Sequence, residues 1–256
     1  MSLASRLEAG ETIFTAWSGI PDALVAEALT STAFDAVTLD MQHGGHHEDS
    51  VLRGLLPIVR SNKPGIVRIP VGRFDMASRA LDFGAEAVIA PMVNSVEDAR
   101  QFAAAMKYPP VGLRSWGPSY AMPRRGTTDM AAWLRQSNSD TLAFAMIETR
   151  QALAALDDIL AVPGIDGVLV GPSDFSIAWS GGATVDAALE DMMEAIADIG
   201  ARVTKAGKHA AIYVIDPKLV RRFAQMGFRL FAMGNEQRYM SLGAASLIDA
   251  AKASLG

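Results

Sequence analysis

Leu142-Ala143-Phe144-Ala145-Met146-Ile147-Glu148 and Gly167-Val168-Leu169-Val170-Gly171-Pro172-Ser173-Asp174 share one pattern. Each opens as an unbroken apolar run, as a strand covered on both faces does. Each meets its first charged residue only where the run stops. Residues 149–166 leave room for one crossover helix, so the two runs predict neighbouring parallel strands. A carboxylate at the end of a buried strand belongs at a rim, where water or a ligand can satisfy it.

Six further runs repeat the theme on either side: Ile13 to Ser18, Ala36 to Asp40, Gly65 to Pro70, Ala87 to Val93, Ala210 to Ile215 and Leu230 to Gly234. Helical patterns lie between them. Asp49 or Ser50 can cap a helix with an apolar stripe of Leu52, Leu55, Leu56 and Val59. Ser95 and Asp98 form a capping box for a helix over Val96 to Lys107. Asp186 to Lys205 reads as a helix stopped by Gly207, and Asp216-Pro217 starts another that ends near Gly227. Eight strands alternating with helices predict an α/β fold closed as a (β/α)8 TIM barrel, not an open sheet. No linker, charge run or composition shift divides the 256 residues, so the expectation is one domain, 1–256. Tyr108 to Asp140, with four prolines and several glycines, is too long for a plain connection and reads as a lid or binding loop.

Half of the residues are hydrophobic, enough for a large core, and the net charge of −5 comes without a basic stripe. Nucleic acid is therefore not an expected partner. The absence of cysteine excludes disulfides, thiolate metal sites and thiol nucleophiles. Residues 1–12 are charged and lack an apolar signal core, and no apolar stretch is long enough for a membrane span. The expectation is a cytoplasmic protein.

Barrel enzymes place working groups at the C-terminal ends of strands, and the ionisable candidates fall there. Asp40 ends the second strand, with His43 just beyond it in Asp40-Met41-Gln42-His43. Arg68 lies near the end of the third, Glu148 ends the fifth, and Asp174 follows the sixth. Glu148 and Asp174, from consecutive strands, converge on one side of the mouth. Two hard oxygen ligands with open positions suit Mg²⁺ or Mn²⁺, although each carboxylate could instead cap a helix or pair with an arginine. His43 is a general base or a metal ligand, and Asp40 beside it can fix its tautomer and support its protonated form. Arg68 would face an anion, or form a buried ion pair with Asp40 or Glu148. The backbone of Gly171-Pro172-Ser173 could hold a carboxylate. His46 and His47, in a glycine-containing polar loop, read as solvent-facing, and His209 sits at the wrong end of its strand.

What is missing narrows the chemistry. Lys63, Lys107, Lys205, Lys208, Lys218 and Lys252 all fall away from the strand ends, which disfavours a Schiff-base mechanism. Dinucleotide, P-loop and nucleophile-elbow motifs are absent.

Trp17, Asp40-Met41-Gln42-His43, Val67-Arg68-Ile69-Pro70, Ala90-Pro91-Met92-Val93, Tyr108-Pro109-Pro110-x-Gly112-x-Arg114, Ile147-Glu148-Thr149 and Val170-Gly171-Pro172-Ser173-Asp174 occur in this order along nearly the whole chain. The series resembles the HpcH/HpaI family of class II pyruvate aldolases. The resemblance implies reversible aldol cleavage of 4-hydroxy-2-oxo acids to pyruvate or hydroxypyruvate plus an aldehyde. It implies Mg²⁺, Mn²⁺ or Co²⁺ on Glu148 and Asp174, His43 as acid/base supported by Asp40, and Arg68 on the 2-oxo group and the enolate. Gly171, Pro172, Ser173 and Asp174 would hold the substrate carboxylate, with Trp17 and Gln42 also in the substrate-binding set. An aspartate like Asp82 would serve the neighbouring subunit's site. A homo-hexamer, a trimer of dimers that exchange a C-terminal helix, is implied as well.

The chain departs from that pattern at three places. Gln42 stands where many relatives have glutamate, Ser115-Trp116 follow Arg114 where relatives often carry small residues, and Tyr213 falls where some relatives have an aliphatic residue. Trp116 and Tyr213 are thus expected to reshape the acceptor pocket. A related metal-dependent CoA-ester lyase and a non-catalytic oxo-acid-binding barrel are the alternatives; the first lacks an obvious basic patch for CoA phosphates.

Overall fold

A computed structural model describes residues 1–255. Eight strands form where the apolar runs predict them: β1 Ile13–Ser18, β2 Ala36–Asp40, β3 Gly65–Arg68, β4 Ala87–Ala90, β5 Leu142–Ile147, β6 Gly167–Val170, β7 His209–Val214 and β8 Leu230–Met233. They pair in chain order and in parallel, and β8 closes on β1. β3 and β4 stop short of the predicted ends because Pro70 and Pro91 have no N–H for a ladder.

Alternation along each strand serves two cores. On β5, Leu142, Phe144 and Met146 pack inside the barrel with Ile66, Ile89 and Leu169. Ala143, Ala145 and Ile147 face the surrounding helices, against residues such as Phe102 and Ile159. Both faces are dry, which is why the strands read as unbroken apolar runs.

The helices carry most of the corrections. The helix Glu48–Arg60 is capped by His47, not by Asp49 or Ser50; Ser50 is the reciprocal partner three residues in, receiving the His47 N–H. Its buried stripe is Val51, Gly54, Leu55 and Ile58, while Leu56 is exposed. The Ser95–Asp98 box forms as predicted, on a helix Val96–Met106. The helix expected from Asp186 begins only at Met193, after a 3-10 turn at Glu190–Met192. There Asp186 turns its carboxylate back to the Ala188 N–H at 2.9 Å, a local bond that competes with helix.

Tyr108 to Asp140 folds into two short helices, Ala121–Arg124 and Met130–Asp140, and lies along the barrel's outside. Arg114 pairs with Asp82 at 2.7 Å, and Arg124 donates to the carbonyls of Leu52 and Phe83. This segment therefore does not cover its own chain's mouth. The last helix, Glu236–Ala253, is seated through its first turn only; every described residue from Met240 onward is exposed. No helix among the described residues is long and apolar enough to cross a membrane.

Candidate active site

The strand ends open onto a cavity of about 280 Å³ lined by Trp17, Asp40, His43, Arg68, Ser173, Asp174 and Tyr213, among others. β2 and β3 run in register with Asp40 opposite Arg68, the last residue of each. The guanidinium grips the carboxylate twice, Nε to Oδ1 at 2.8 Å and Nη2 to Oδ2 at 2.6 Å. Trp17 Nε1 adds a third donor to Oδ2 at 3.1 Å, and the Arg68 guanidinium lies 4.9 Å from the Trp17 ring centre. Burial alone would raise the Asp40 carboxyl. Arg68, the Gln42 N–H and Trp17 more than offset it, so Asp40 ionises below the usual carboxylate range. Arg68 commits two of its five N–H donors to Asp40 and keeps three for a ligand.

Here the expected role of Asp40 changes. It reaches His43 through the main chain, accepting the His43 N–H at 3.3 Å and the Gln42 N–H at 2.9 Å. Its oxygens are occupied by Arg68, Trp17 and these amides, not by the imidazole. Asp40 thus orients Arg68 and the start of the His43 loop, while the exposed His43 side chain stands free at the cavity wall.

Glu148, just past β5, is only 2% exposed. One oxygen accepts the Met92 N–H at 2.7 Å, an amide aimed by a positive backbone angle (φ 53°) that few methionines adopt. The other lies so close to Gly171 that a Cβ there would fall 2.6 Å from it. Burial pushes the Glu148 carboxyl up to about 7; the Met92 N–H draws it down, Asp174 raises it and Arg68 lowers it. A buried carboxyl beside a second carboxylate, with no basic group hydrogen-bonded to it, is a donor set that a divalent cation would satisfy. Among the described residues no third His, Cys, Asp or Glu joins the pair. Two oxygen ligands with the remaining positions left to water or ligand is the arrangement that Mg²⁺-like ions accept.

Gly171-Pro172-Ser173-Asp174 is the first turn of a helix, Pro172–Trp179. Pro172 at its first position has no N–H and is buried beneath the cavity, so it sets shape only. The amides of Ser173 and Asp174 are helix-start donors without an intrahelical partner, an anion-binding end. Tyr213 meets the Trp17 ring edge-on, 5.3 Å between centres, with its hydroxyl on the Gly234 carbonyl at 2.9 Å.

Glu148 itself is not on the cavity wall but lies behind Gly171, which is, and three further predicted residues lie elsewhere. Gln42 is not on the cavity wall, and its side-chain oxygen is buried without a partner. Trp116 stacks near Tyr108, 5.7 Å away, outside this chain's cavity. Asp82 is tied to Arg114; burial raises its carboxyl and Arg114 partly offsets that. His46, read as solvent-facing, is buried and bonded to Ser18 and Ser50. Gly19, Gly44, Met146 and Asn235 also line the cavity. Of these, Asn235 was findable, since Gly234-Asn235-Glu236 after the eighth strand is a helix-cap pattern.

An α/β barrel whose mouth gathers an arginine–aspartate clamp, a free histidine, a buried glutamate and an exposed aspartate beside it is built as an enzyme. The chain belongs to the HpcH/HpaI aldolase/citrate lyase family, whose sequence model matches residues 14–241, and it is therefore a lyase. The hydroxypyruvate/pyruvate aldolase of Roseovarius nubinhibens is 34% identical over 90% of this chain and 88% of that protein. The 4-hydroxy-2-oxo-heptane-1,7-dioate aldolase of Klebsiella pneumoniae is 30% identical over 94% and 90%. The crystal structure of an HpcH/HpaI aldolase from Desulfitobacterium hafniense superimposes with a TM-score of 0.88, covering 98% of this chain and 97% of that one at 22% identity.

Proposed function

We propose that the whole chain is one aldolase unit that reversibly cleaves 4-hydroxy-2-oxo acids to an aldehyde and pyruvate or hydroxypyruvate. The observation that carries this is the meeting of Arg68, His43 and Asp174 on one cavity, with the buried Glu148 carboxyl directly behind its Gly171 wall. Glu148 and Asp174 would hold a divalent cation, Mg²⁺, Mn²⁺ or Co²⁺. When bound, the cation would supply Lewis-acid polarisation of the 2-oxo acid.

The chain's own residues account for the rest. The Ser173 and Asp174 amides receive the substrate carboxylate at the helix start. Arg68, held rigid by Asp40, directs its uncommitted N–H groups at the C2 oxygen, where negative charge builds as the enolate forms. His43 takes the proton from the 4-hydroxyl. The C3–C4 bond breaks, its electron pair enters the enolate, and the aldehyde departs. The proton on His43 then returns to C3 to give the oxo acid. Trp17 and Tyr213 border the acceptor side.

Assembly belongs to the same proposal. A helix of 18 residues with Leu242, Leu247 and Ile248 in solvent gains little by standing alone. Docked on a partner subunit, it would link the chain into a hexamer of paired copies.

Deuterium exchange into the pyruvate methyl group tests the enolisation directly. Activity with Mg²⁺ or Mn²⁺, its loss in chelator and loss of exchange in Arg68→Ala are the expected results. Full exchange in chelator, or unchanged exchange in Arg68→Ala, would overturn the mechanism.

A further inference from the structure

Glu236 is a buried carboxylate that the chemistry above does not use. It is the first residue of the C-terminal helix and only 6% exposed. It accepts Ser18 Oγ–H at 2.5 Å, the Gly19 N–H at 2.9 Å and the Ile20 N–H at 3.4 Å. Its donors are thus three consecutive residues at and just after the end of β1, and among the described residues no Lys or Arg pairs with it. A carboxylate buried this deeply with neutral donors alone is costly to keep. Removing it would leave those donors unpaired, so its effect is concentrated on residues 18–20.

From there two links run to the loop that carries His43. In the first, Ser18 Oγ gives its only proton to Glu236 and so must accept from His46 Nε2, 3.0 Å away. His46 Nδ1 meets Ser50 Oγ at 3.1 Å, which anchors the far end of the loop to the helix Glu48–Arg60. In the second, Gly19, whose N–H Glu236 holds, accepts the Gly45 N–H on its carbonyl at 2.7 Å. The two backbones meet at glycines: a Cβ on Gly44 would lie 2.8 Å from Gly19 Cα. His43 sits directly between Asp40, which holds its amide, and this Gly44–Gly45 contact.

We infer that Glu236 is a positioning residue for His43, acting through Ser18–His46 and Gly19–Gly45, so that the seat of the C-terminal helix sets the geometry of the acid/base loop. The inference rests on the aldolase function proposed above. It makes the first turn of an otherwise exposed helix part of the active-site frame. Tyr239, one turn on, reinforces the same junction by accepting the Trp17 N–H at 3.0 Å.

Glu236→Gln tests it, because an amide keeps the shape yet can accept at only one of its two ends. In the full-length protein loaded with Mn²⁺, kcat for cleavage is expected to fall about 10-fold, as for a displaced acid/base, with Mn²⁺ affinity and KM nearly unchanged. In a His43→Ala background the same substitution is expected to add no further loss. Amide exchange at Gly45 should speed up in Glu236→Gln, and Ser18→Ala should show both effects in milder form if Glu236→Gln proves too unstable. An undiminished 10-fold loss on the His43→Ala background, or unchanged kcat and Gly45 exchange in both variants, would overturn the positioning role. If Gly45 loosens but wild-type protein neither enolises nor cleaves any 2-oxo acid, the coupling stands and the aldolase function fails.

Discussion

Asp40 and Arg68 face each other at the last register of β2 and β3 and close a two-bond clamp that is nearly removed from solvent. The clamp offsets the cost of Arg68 in a strand and leaves its remaining donors uncommitted at a cavity that Arg68 lines. Asp40→Ala would strand that cation, and a loss of about 3 kcal/mol in denaturant unfolding is expected. The sign with pH follows from the lowered Asp40 carboxyl. Its stabilisation is present in full above the ordinary carboxylate value of about 4 and is lost as pH falls through the depressed folded value. Wild-type protein should therefore lose more stability than Asp40→Ala over that acid window.

Glu148 predicts how cation binding responds to pH. Its carboxyl is pushed up to about 7, chiefly by burial, so below that value a proton occupies it. Without cation, its raised value favours the folded state at low pH, and that contribution fades as pH rises from the ordinary glutamate value of about 4 through about 7. Cation affinity is expected to strengthen as pH rises through about 7, with proton release on binding below it. Titration calorimetry of Mn²⁺ in buffers of different ionisation enthalpy reads both; a pH-independent affinity between 6 and 8 (about one unit either side of that value) would remove Glu148 from the ligand set.

Tyr239 joins the C-terminal helix to β1 through the Trp17 N–H and to the end of β8 through the Met233 carbonyl. Tyr239→Phe leaves both groups without that partner, and a loss of about 1–2 kcal/mol is expected. Burial pushes the phenol up to about 12. Its contribution is whole below the ordinary tyrosine value of about 10 and disappears as pH climbs through about 12. Alkaline melting curves should accordingly fall more steeply for wild type than for Tyr239→Phe.

Tyr213 closes one side of the cavity against Trp17. Tyr213→Ala is expected to shift preference toward bulkier aldehydes, raising their kcat/KM relative to a two-carbon acceptor by about 10-fold. Competition between two aldehydes for one donor measures this without absolute rates. No change in the ratio would place the acceptor elsewhere.

The barrel was legible because its strands are dry on both faces, so Leu142–Ile147 and Gly167–Val170 read as apolar runs with their first charges at the rim. The carboxylate pair, Arg68 and His43 followed from that rule of place. What escaped was set by distant partners. Asp40 sits beside His43 in sequence, yet its oxygens go to Arg68 and Trp17 on other strands. His46 lies among polar neighbours, and nothing local reveals that Ser18, itself held by a glutamate 218 positions away, buries it. The His47 cap was hidden for another reason: Asp49 and Ser50 are better cap formers, and only the backbone path makes Ser50 the reciprocal partner.

Any side chain at Gly171 would press into Glu148 Oε2. That point of the wall is thereby frozen: no substitution at Gly171 can thicken it without displacing the Glu148 carboxylate. Natural drift and laboratory libraries alike must seek new acceptors by recarving the opposite wall, so the breadth of substrates open to this scaffold is lopsided by design of a single missing methyl group.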